Sequence, residues 1–197
     1  TKKLGEVSDV LTGPFGSLLH KSDYVSDGVP LINPVNIVEG QIVVGTEKTV
    51  NQKTLDRLGN YVLAEGDIVF GRRGEIGRCA VIGSEEAGWL CGTGCFFIKR
   101  SQRVDSRFLA ALLGAPPYRE RLELAATGTT MKNLSNQALQ DLLVALPSLL
   151  EQQRIVAILD EAFAGLATAT ANAEKNLKNT RELFDSYLNA IFVQRGE

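Results

Sequence analysis

The sequence has little of what most enzyme active sites need. It contains a single histidine, His20, so a Ser-His-Asp or Cys-His unit would have to be built on that residue. His20 lies beside Lys21 in a turn-rich segment, which favours a solvated loop position. No stretch approaches the roughly 20 apolar residues of a membrane span, and no charged-then-apolar leader opens the sequence. We therefore expect neither a histidine-based active site nor membrane association.

Cysteine is also scarce. The three cysteines are an odd number, which argues against a secreted disulfide framework and favours a reducing, cytoplasmic setting. Cys91 and Cys95 are four positions apart, and Cys79 belongs to a different strand-like segment. Zinc needs a fourth ligand and tighter pairing, so we interpret the thiols as core residues and expect no metal.

Two glycine- or proline-bearing segments have only partial cofactor motifs. Residues 71–77 contain three glycines but lack the Lys-Ser/Thr ending of a P-loop and lead into a strand. Asn33-Pro34-Val35-Asn36 faintly resembles the Asn-Pro-Pro-aromatic motif of adenine methyltransferases, but lacks the second proline and the aromatic ring. We expect no cofactor and no methyl transfer by this chain alone.

An excess of positive charge is absent too. The net charge is −2; residues 1–150 carry 16 Lys and Arg against 16 Asp and Glu, and residues 151–197 carry 5 against 7. Nucleic-acid binding would therefore need a local cluster of cations, because neutralisation of phosphates near the protein provides the electrostatic attraction.

The first 150 residues predict an α+β fold. Short apolar runs alternate with glycine-bearing turns up to about residue 104, which indicates an irregular, mostly antiparallel sheet or barrel. The runs cover residues 31–32, 42–44, 61–63, 67–70, 79–82 and 95–98. Short helices should follow, one behind an Asp105 or Ser106 cap, one from 118 to 126 after a break at Pro116-Pro117, and one from the Ser135 cap to about 141. Residues 142–146 are typical of a final strand.

The last quarter predicts one long amphipathic helix from about 148 to 194. Ser148 and Glu151 have the spacing of a capping box. About 45 residues would extend on the order of 65 Å, too long to pack only against a domain of this size. Much of its apolar stripe therefore needs another chain, in a coiled coil. The stripe comprises Ile155, Leu159, Ala162, Leu166, Ala169, Ala173, Leu177, Phe184, Leu188 and Ile191.

Cationic residues near glycines are the remaining candidates for a binding site. Arg72 and Arg73 are in a predicted turn with Arg78 close behind, Lys132 and Asn133 follow Gly128, and Lys21 follows the turn 13–17. Arginine can bind a phosphate or guanine with two parallel hydrogen bonds, and asparagine can pair with adenine. Solvated turn charges remain the alternative interpretation of these residues taken alone.

Several motifs, in order, resemble the specificity (S) subunits of type I restriction–modification systems. The most specific is Leu146-Pro147-x-Leu149-x-Glu151-Gln152-x-Arg154-Ile155-Val156-x-Ile158-Leu159. The others are Leu4-Gly5-Glu6-Val7 with Gly13-Pro14-Phe15-Gly16-Ser17, Gly28-Val29-Pro30-Leu31-Ile32 with Asn36-Ile37, Leu63-x-x-Gly66-Asp67-Ile68-Val69 with Arg73-Gly74-x-x-Gly77-x-x-Ala80, and Gly128-Thr129-Thr130-x-Lys132-x-Leu134-Ser135. Together they extend along nearly the whole sequence.

The resemblance implies a non-catalytic module that binds double-stranded DNA. Family members hold two target recognition domains on a pair of antiparallel helices. DNA adenine methyltransferase subunits bind this scaffold, and a motor-nuclease restriction subunit can join. The resemblance divides this chain into a target recognition domain, residues 1–147, and a long helix, residues 148–197, for coiled-coil dimerisation and methyltransferase docking. The expected DNA contacts are Ser17, Lys21, Arg72, Arg73, Arg78, Thr130, Lys132 and Asn133.

The chain departs from the family pattern because it has one recognition domain and one helix. It resembles a half-sized S subunit, or one half of a longer chain. The partner helix would then come from a second copy, and a two-fold homodimer should recognise a symmetric, interrupted site. Two alternatives stay open: an interaction or regulatory protein of the same fold that binds a methyltransferase subunit but not DNA, and an unrecognised enzyme.

Overall fold

The described part of the chain contains short strands, short helices and one very long helix. The computed structural model describes residues 1–43, 45, 48–128 and 132–193. The strands are β1 Lys2–Lys3, β2 Val10–Thr12, β3 Tyr24–Val25, β4 Val29–Ile32, β5 Ile37–Val38, β6 Gln41–Ile42, β7 Thr49–Val50, β8 Ile68–Gly71, β9 Cys79–Val81, β10 Leu90–Cys91, β11 Cys95–Ile98 and β12 Leu143–Val144. The helices are α1 Gln52–Arg57, α2 Ser106–Gly114, α3 Pro116–Ala125, α4 Asn136–Gln140 and α5 Leu149–Val193.

The strands form several small sheets. A four-stranded sheet has the order β2-β11-β8-β9 with every neighbour antiparallel. A second sheet has the order β10-β4-β7-β3, in which β10 and β4 are parallel and the other pairs antiparallel. Two-stranded pairs β1-β12 and β5-β6 complete the set. The predicted α+β fold, irregular and mostly antiparallel with a long C-terminal helix, is therefore confirmed.

The core lies against the central strands β8 and β11. Every residue of both strands is buried, including Phe70, Phe96 and Phe97. All three cysteines are buried and free, as their apolar strand context predicts. Burial raises the pKa of Cys79 to about 12, so that thiol stays protonated and unreactive at neutral pH.

One carboxylate is buried in this core. Asp67 is 1% exposed and accepts hydrogen bonds from the backbone N–H groups of Ala64 and Arg100, each at 3.0 Å. Lys99 Nζ donates to Asp67 Oδ2 at 2.7 Å. Three donors thus offset the cost of burying the charge and link the start of β8 to the end of β11.

The helix starts follow local sequence rules. Asp105 accepts from the N–H groups of Arg107 and Phe108 at the start of α2, and Ser135 accepts from Ala138 N at the start of α4. Ser148 Oγ accepts from Glu151 N at 3.3 Å, which confirms its predicted half of the capping box.

Three local predictions were wrong or incomplete. The run 61–63 is not a strand: residues Gly59–Tyr61 form a 3-10 turn, and only an isolated bridge from Val62 to Leu90 follows. The predicted break between two helices is present at Ala115, but α3 begins at Pro116 and not at residue 118, because the first N–H groups of a helix need no partner within it and proline is tolerated there. The sequence analysis also missed α1, whose start is capped by Asn51 Oδ1 bonded to Thr54 N.

The chain divides into two compact units, residues 1–153 and 154–197. Gln152, the last buried residue of the first unit, is 1% exposed. Its Oε1 accepts from Asp105 N at 2.9 Å, and its Nε2 donates to Pro147 O at 2.9 Å. One side chain therefore fixes the first turn of α5 to the start of α2.

Replacing Gln152 should destabilise the first unit. Gln152→Ala removes both bonds and leaves a partly buried donor and acceptor without partners, which should lower the free energy of unfolding by about 1–3 kcal/mol. Urea denaturation measures the change. The matched control is Gln153→Ala, because Gln153 is the exposed neighbour. Equal stability of the two variants would contradict this role for Gln152.

Candidate nucleic-acid interface

Three chain segments meet at one edge of the β2-β11-β8-β9 sheet. Because neighbouring strands are antiparallel, the ends of β2 and β8 lie at the same edge as the starts of β11 and β9. The residues just beyond those strand ends are Gly13, Arg72, Gly94 and Arg78. We call this the basic edge, defined by residues 13–17, 72–78 and 92–94.

Close backbone contacts hold these segments together. Gly13 N donates to Cys95 O at 3.0 Å, and Arg72 N donates to Gly94 O at 3.0 Å. A Cβ at Gly13 would lie 2.1 Å from Gly92 O, so only glycine permits this approach. The 92–94 turn is thus the common support for the loops that follow β2 and β8.

Arg72 is partly buried within this support. Its Nε donates to Thr93 O at 3.3 Å, and its guanidinium carbon lies 5.6 Å from the centroid of the Phe96 ring. Burial, and after it the charge of Arg73, lowers the pKa of Arg72 from its ordinary value. These contacts fix the position of the loop, whereas the neighbouring Arg73 is exposed.

The polar loop before Leu134 lies beside the same arginines. Asn133 forms an isolated antiparallel bridge with Arg73 and exchanges backbone hydrogen bonds with Thr127, at 2.8 and 3.0 Å. Gly74 N donates to Lys132 O at 3.2 Å, and Leu134 N donates to Arg72 O at 2.9 Å. Two predicted clusters about sixty residues apart in sequence, 72–73 and 132–133, therefore share one surface.

The side chains of this second loop differ in exposure. Lys132 is exposed, and its Nζ lies 3.5 Å from Glu123 Oε2, a solvated ion pair of small energetic value. Asn133 is half-buried, and within the described residues no donor reaches its buried Oδ1. Thr130 lies outside the described residues.

Arg78 is held by an acidic neighbour. Glu75 Oε2 accepts from Arg78 Nε at 2.8 Å and also from its Nη2, and Glu75 Oε1 accepts from Arg119 Nη2 at 3.0 Å. The hydrogen bond from Arg78, and then the one from Arg119, holds the pKa of Glu75 below its ordinary value. Two guanidinium groups thus share one carboxylate, which leaves a net positive charge. Sequence reasoning missed Arg119, because it comes from α3 and no motif connects it to this loop.

Ser17 and Lys21 are supported differently. Both are exposed, in the 3-10 turns Gly16–Leu18 and Lys21–Asp23. Arg57 of α1 donates to Leu18 O at 2.7 Å and pairs with Asp23 at 2.9 Å. The turn that carries Lys21 is therefore anchored to α1, whereas Arg73 is anchored to the 92–94 turn and the 132–134 segment.

The second unit presents apolar side chains to solvent. Residues 161–187 of α5 are all exposed in the single chain. Among the predicted interface residues, Leu166 is 63% exposed, Leu177 55% and Phe184 60%. Ile155, Leu159, Leu188 and Ile191 are half-buried, and Ala162, Ala169 and Ala173 are exposed. The stripe prediction missed Ile158, Phe163, Leu183, Tyr187 and Phe192, exposed apolar residues that widen the face.

Comparison with known proteins defines the class. The family model for the type I restriction modification DNA specificity domain matches residues 1–179. The chain belongs to this family. Its membership confirms the resemblance on which the sequence analysis relied.

Named relatives and solved structures agree with this assignment. The chain is 28% identical over 77% of its length to the specificity subunit of the type I restriction enzyme MjaVIII from Methanocaldococcus jannaschii, and 28% identical over 76% to that of EcoBI from Escherichia coli. A chain from a structural study of type I R-M complex assembly is 25% identical with a TM-score of 0.66 over 90% of this chain. The HsdS subunit from Thermoanaerobacter tengcongensis, 22% identical over 85% of this chain, has a TM-score of 0.63 and shares the fold.

These relatives are longer than the present sequence. The chain spans 36% of the MjaVIII subunit and 29% of the EcoBI subunit. It covers 42% and 38% of the two structural neighbours. The chain therefore spans less than half the length of each of these four relatives.

The Glu75 ion pairs should make stability depend on pH. The folded-state pKa is below the ordinary value of 4.5, so the pairs stabilise the fold fully above pH 4.5 and this contribution is lost as the pH falls through the folded-state pKa. Glu75→Gln should therefore destabilise the protein at pH 7 and have a smaller effect at about pH 3, measured by urea unfolding.

The control for this experiment is Glu65→Gln, which alters an exposed glutamate. A Glu75→Gln effect that is the same at both pH values would show that the carboxylate charge does not contribute.

Proposed function

We propose that this chain is a DNA sequence-specificity subunit that recognises one half of a bipartite site. The observation that carries the proposal is the convergence of Arg72 and Arg73 with Lys132 and Asn133 on one sheet edge. These loops are far apart in sequence, and backbone hydrogen bonds hold them against the sheet. Their cations and the asparagine amide could therefore be placed against the phosphates and base edges of a DNA duplex.

The residues of the basic edge, of the adjoining 132–133 segment and of the Lys21 turn differ in their proposed roles. Arg73 and Lys132 are exposed and are suited to phosphates or to guanine in the major groove. Asn133 is suited to an adenine edge. Arg72 and Arg78 have protein partners on the edge and mainly position the loop, whereas Ser17 and Lys21 extend the surface towards α1.

We propose that α5 pairs with an equivalent helix, in the simplest case from a second copy. Its exposed leucines and phenylalanines are removed from water on pairing, which favours association. A closed two-fold arrangement would be an antiparallel coiled coil with two identical recognition domains. The helix length would then set the gap between two half-sites.

The remaining partners follow from the proposed role. The chain would recruit DNA adenine methyltransferase subunits, with a motor-nuclease restriction subunit as a further partner, and would itself be non-catalytic. It would act in the cytoplasm, where the DNA is.

A membrane location is less consistent with the sequence of α5. By length and composition alone, Leu149–Phe192 could cross a membrane, with a mean hydropathy of 1.2 in its most apolar window. Any 18-residue window of this helix with two or fewer charged residues contains both Asp160 and Glu161. Two adjacent acidic residues within a bilayer are costly, so pairing with another helix is the better use of this face.

A second candidate function is regulation of a methyltransferase without DNA binding. The balance of charges in residues 1–150 favours it over a strongly basic DNA-binding domain. DNA binding by the chain in complex with a methyltransferase subunit separates the two functions.

Removing the exposed cations should weaken DNA binding. We expect Arg73→Ala and Lys132→Ala each to lower the affinity of the methyltransferase complex for its cognate duplex. Where the cation neutralises a phosphate, its removal should also reduce the slope of log K against log salt by about one. Fluorescence anisotropy over a salt series measures both. Lys2→Ala, an exposed lysine on the separate β1-β12 pair, is the control. Wild-type affinity and slope in both variants would contradict this choice of surface.

Charge on the apolar face of α5 should abolish self-association. We expect the wild-type chain to form a dimer and Leu166→Glu to remain monomeric, because a carboxylate at the seam would be buried without a partner. Light scattering after size exclusion measures the mass. Ala171→Glu adds the same charge five residues on, on the other side of the helix, and should still dimerise. A wild-type monomer at high micromolar concentration would contradict the homodimer.

A further inference from the structure

Two exposed apolar side chains lie in or next to the basic edge. Phe15 is 57% exposed and Val35 is 73% exposed. Each follows a residue that is fixed against the sheet edge, Pro14 or Pro34. Contact of these side chains with an apolar group of a ligand would remove them from water, which is favourable.

Phe15 emerges directly from the support of the basic edge. Gly13 and Pro14 are buried, and Gly13 packs against Gly92 and the Cys91 thiol. The chain then turns at Gly16, which has a φ of 61°. Phe15 is therefore two residues from Gly13, which packs on the 92–94 turn. Arg72 is hydrogen-bonded to the same turn.

Val35 is fixed at the same junction. Pro34 packs closely against two glycines. A Cβ added to Gly71 would lie 3.3 Å from Pro34 Cβ, and a Cβ added to Gly94 would lie 2.8 Å from Pro34 Cδ. Val35 occupies the 3-10 turn Pro34–Asn36, closed by Asn36 Oδ1 accepting from Asn33 N at 2.9 Å. It thus directly follows the proline that packs on both the end of β8 and the 92–94 turn.

We infer that Phe15 and Val35 contact the 5-methyl groups of thymine in the major groove, so the half-site of this chain contains A·T pairs there. This inference rests on the proposed function. Thymine presents the only methyl group among the base edges of the major groove, and apolar side chains are suited to contact it. Arg73 and Lys132 on the same surface would attract the phosphates that bring the groove to these side chains.

The test compares cognate duplexes with thymine and with uracil in the half-site. Uracil keeps the hydrogen-bonding edge of thymine and lacks the methyl group. The complex with the methyltransferase subunit should bind the thymine duplex about fourfold more tightly for each methyl contact, the factor that corresponds to burial of one carbon at ~0.8 kcal/mol. Phe15→Ala, Val35→Ala or both should reduce this ratio towards one.

Leu143→Ala is the matched control, because Leu143 is 53% exposed but lies on the separate β1-β12 pair. It should keep the wild-type ratio. A wild-type ratio of one, or an unchanged ratio in both single variants, would overturn the inference while sequence-specific binding persists. Loss of all sequence preference in the wild-type complex would instead contradict the proposed function.

Discussion

The apolar face of α5 is the constraint on which the account depends. The backbone hydrogen bonds of this 45-residue helix are made within the helix itself. Its leucine and phenylalanine side chains, however, are exposed to water along most of its length. Burying one such side chain completely is worth about 1.5–3 kcal/mol, so several together can drive association with an equivalent helix. The alanines Ala162, Ala169 and Ala173 allow two backbones to approach closely and contribute less area.

The first unit, residues 1–153, carries almost no net charge, so binding to DNA would require a local cluster of cations. Protein groups hold some of these cations in place and partly neutralise them. Glu75, for example, forms ion pairs with Arg78 and Arg119. Arg72 is held by a carbonyl and an aromatic ring. Rigid placement of a few cations suits specific recognition better than a large basic surface, which would also favour non-specific binding.

Features set by short stretches of sequence could be predicted. The strand Cys95–Ile98, the caps at Asp105 and Ser135 and the long helix follow from patterns within a few residues. The family motifs predicted the family, and the family model confirms it. Predicted cations of the 72–73 and 132–133 loops do share a surface, although their contact with DNA stays a prediction. Contacts between distant segments could not be predicted, because the pairing of Arg119 with Glu75 and the burial of Asp67 with Lys99 depend on tertiary structure. A single periodic stripe also underestimates the width of the apolar face of α5.

The measurement that most directly tests the central claim is the site recognised after two heptads are inserted into α5. If paired helices set the distance between recognition domains, 14 residues add about 21 Å, or about six base pairs of duplex. Mapping methylated adenines with the altered subunit should then give the same half-sites separated by a longer gap. An unchanged gap would contradict the account.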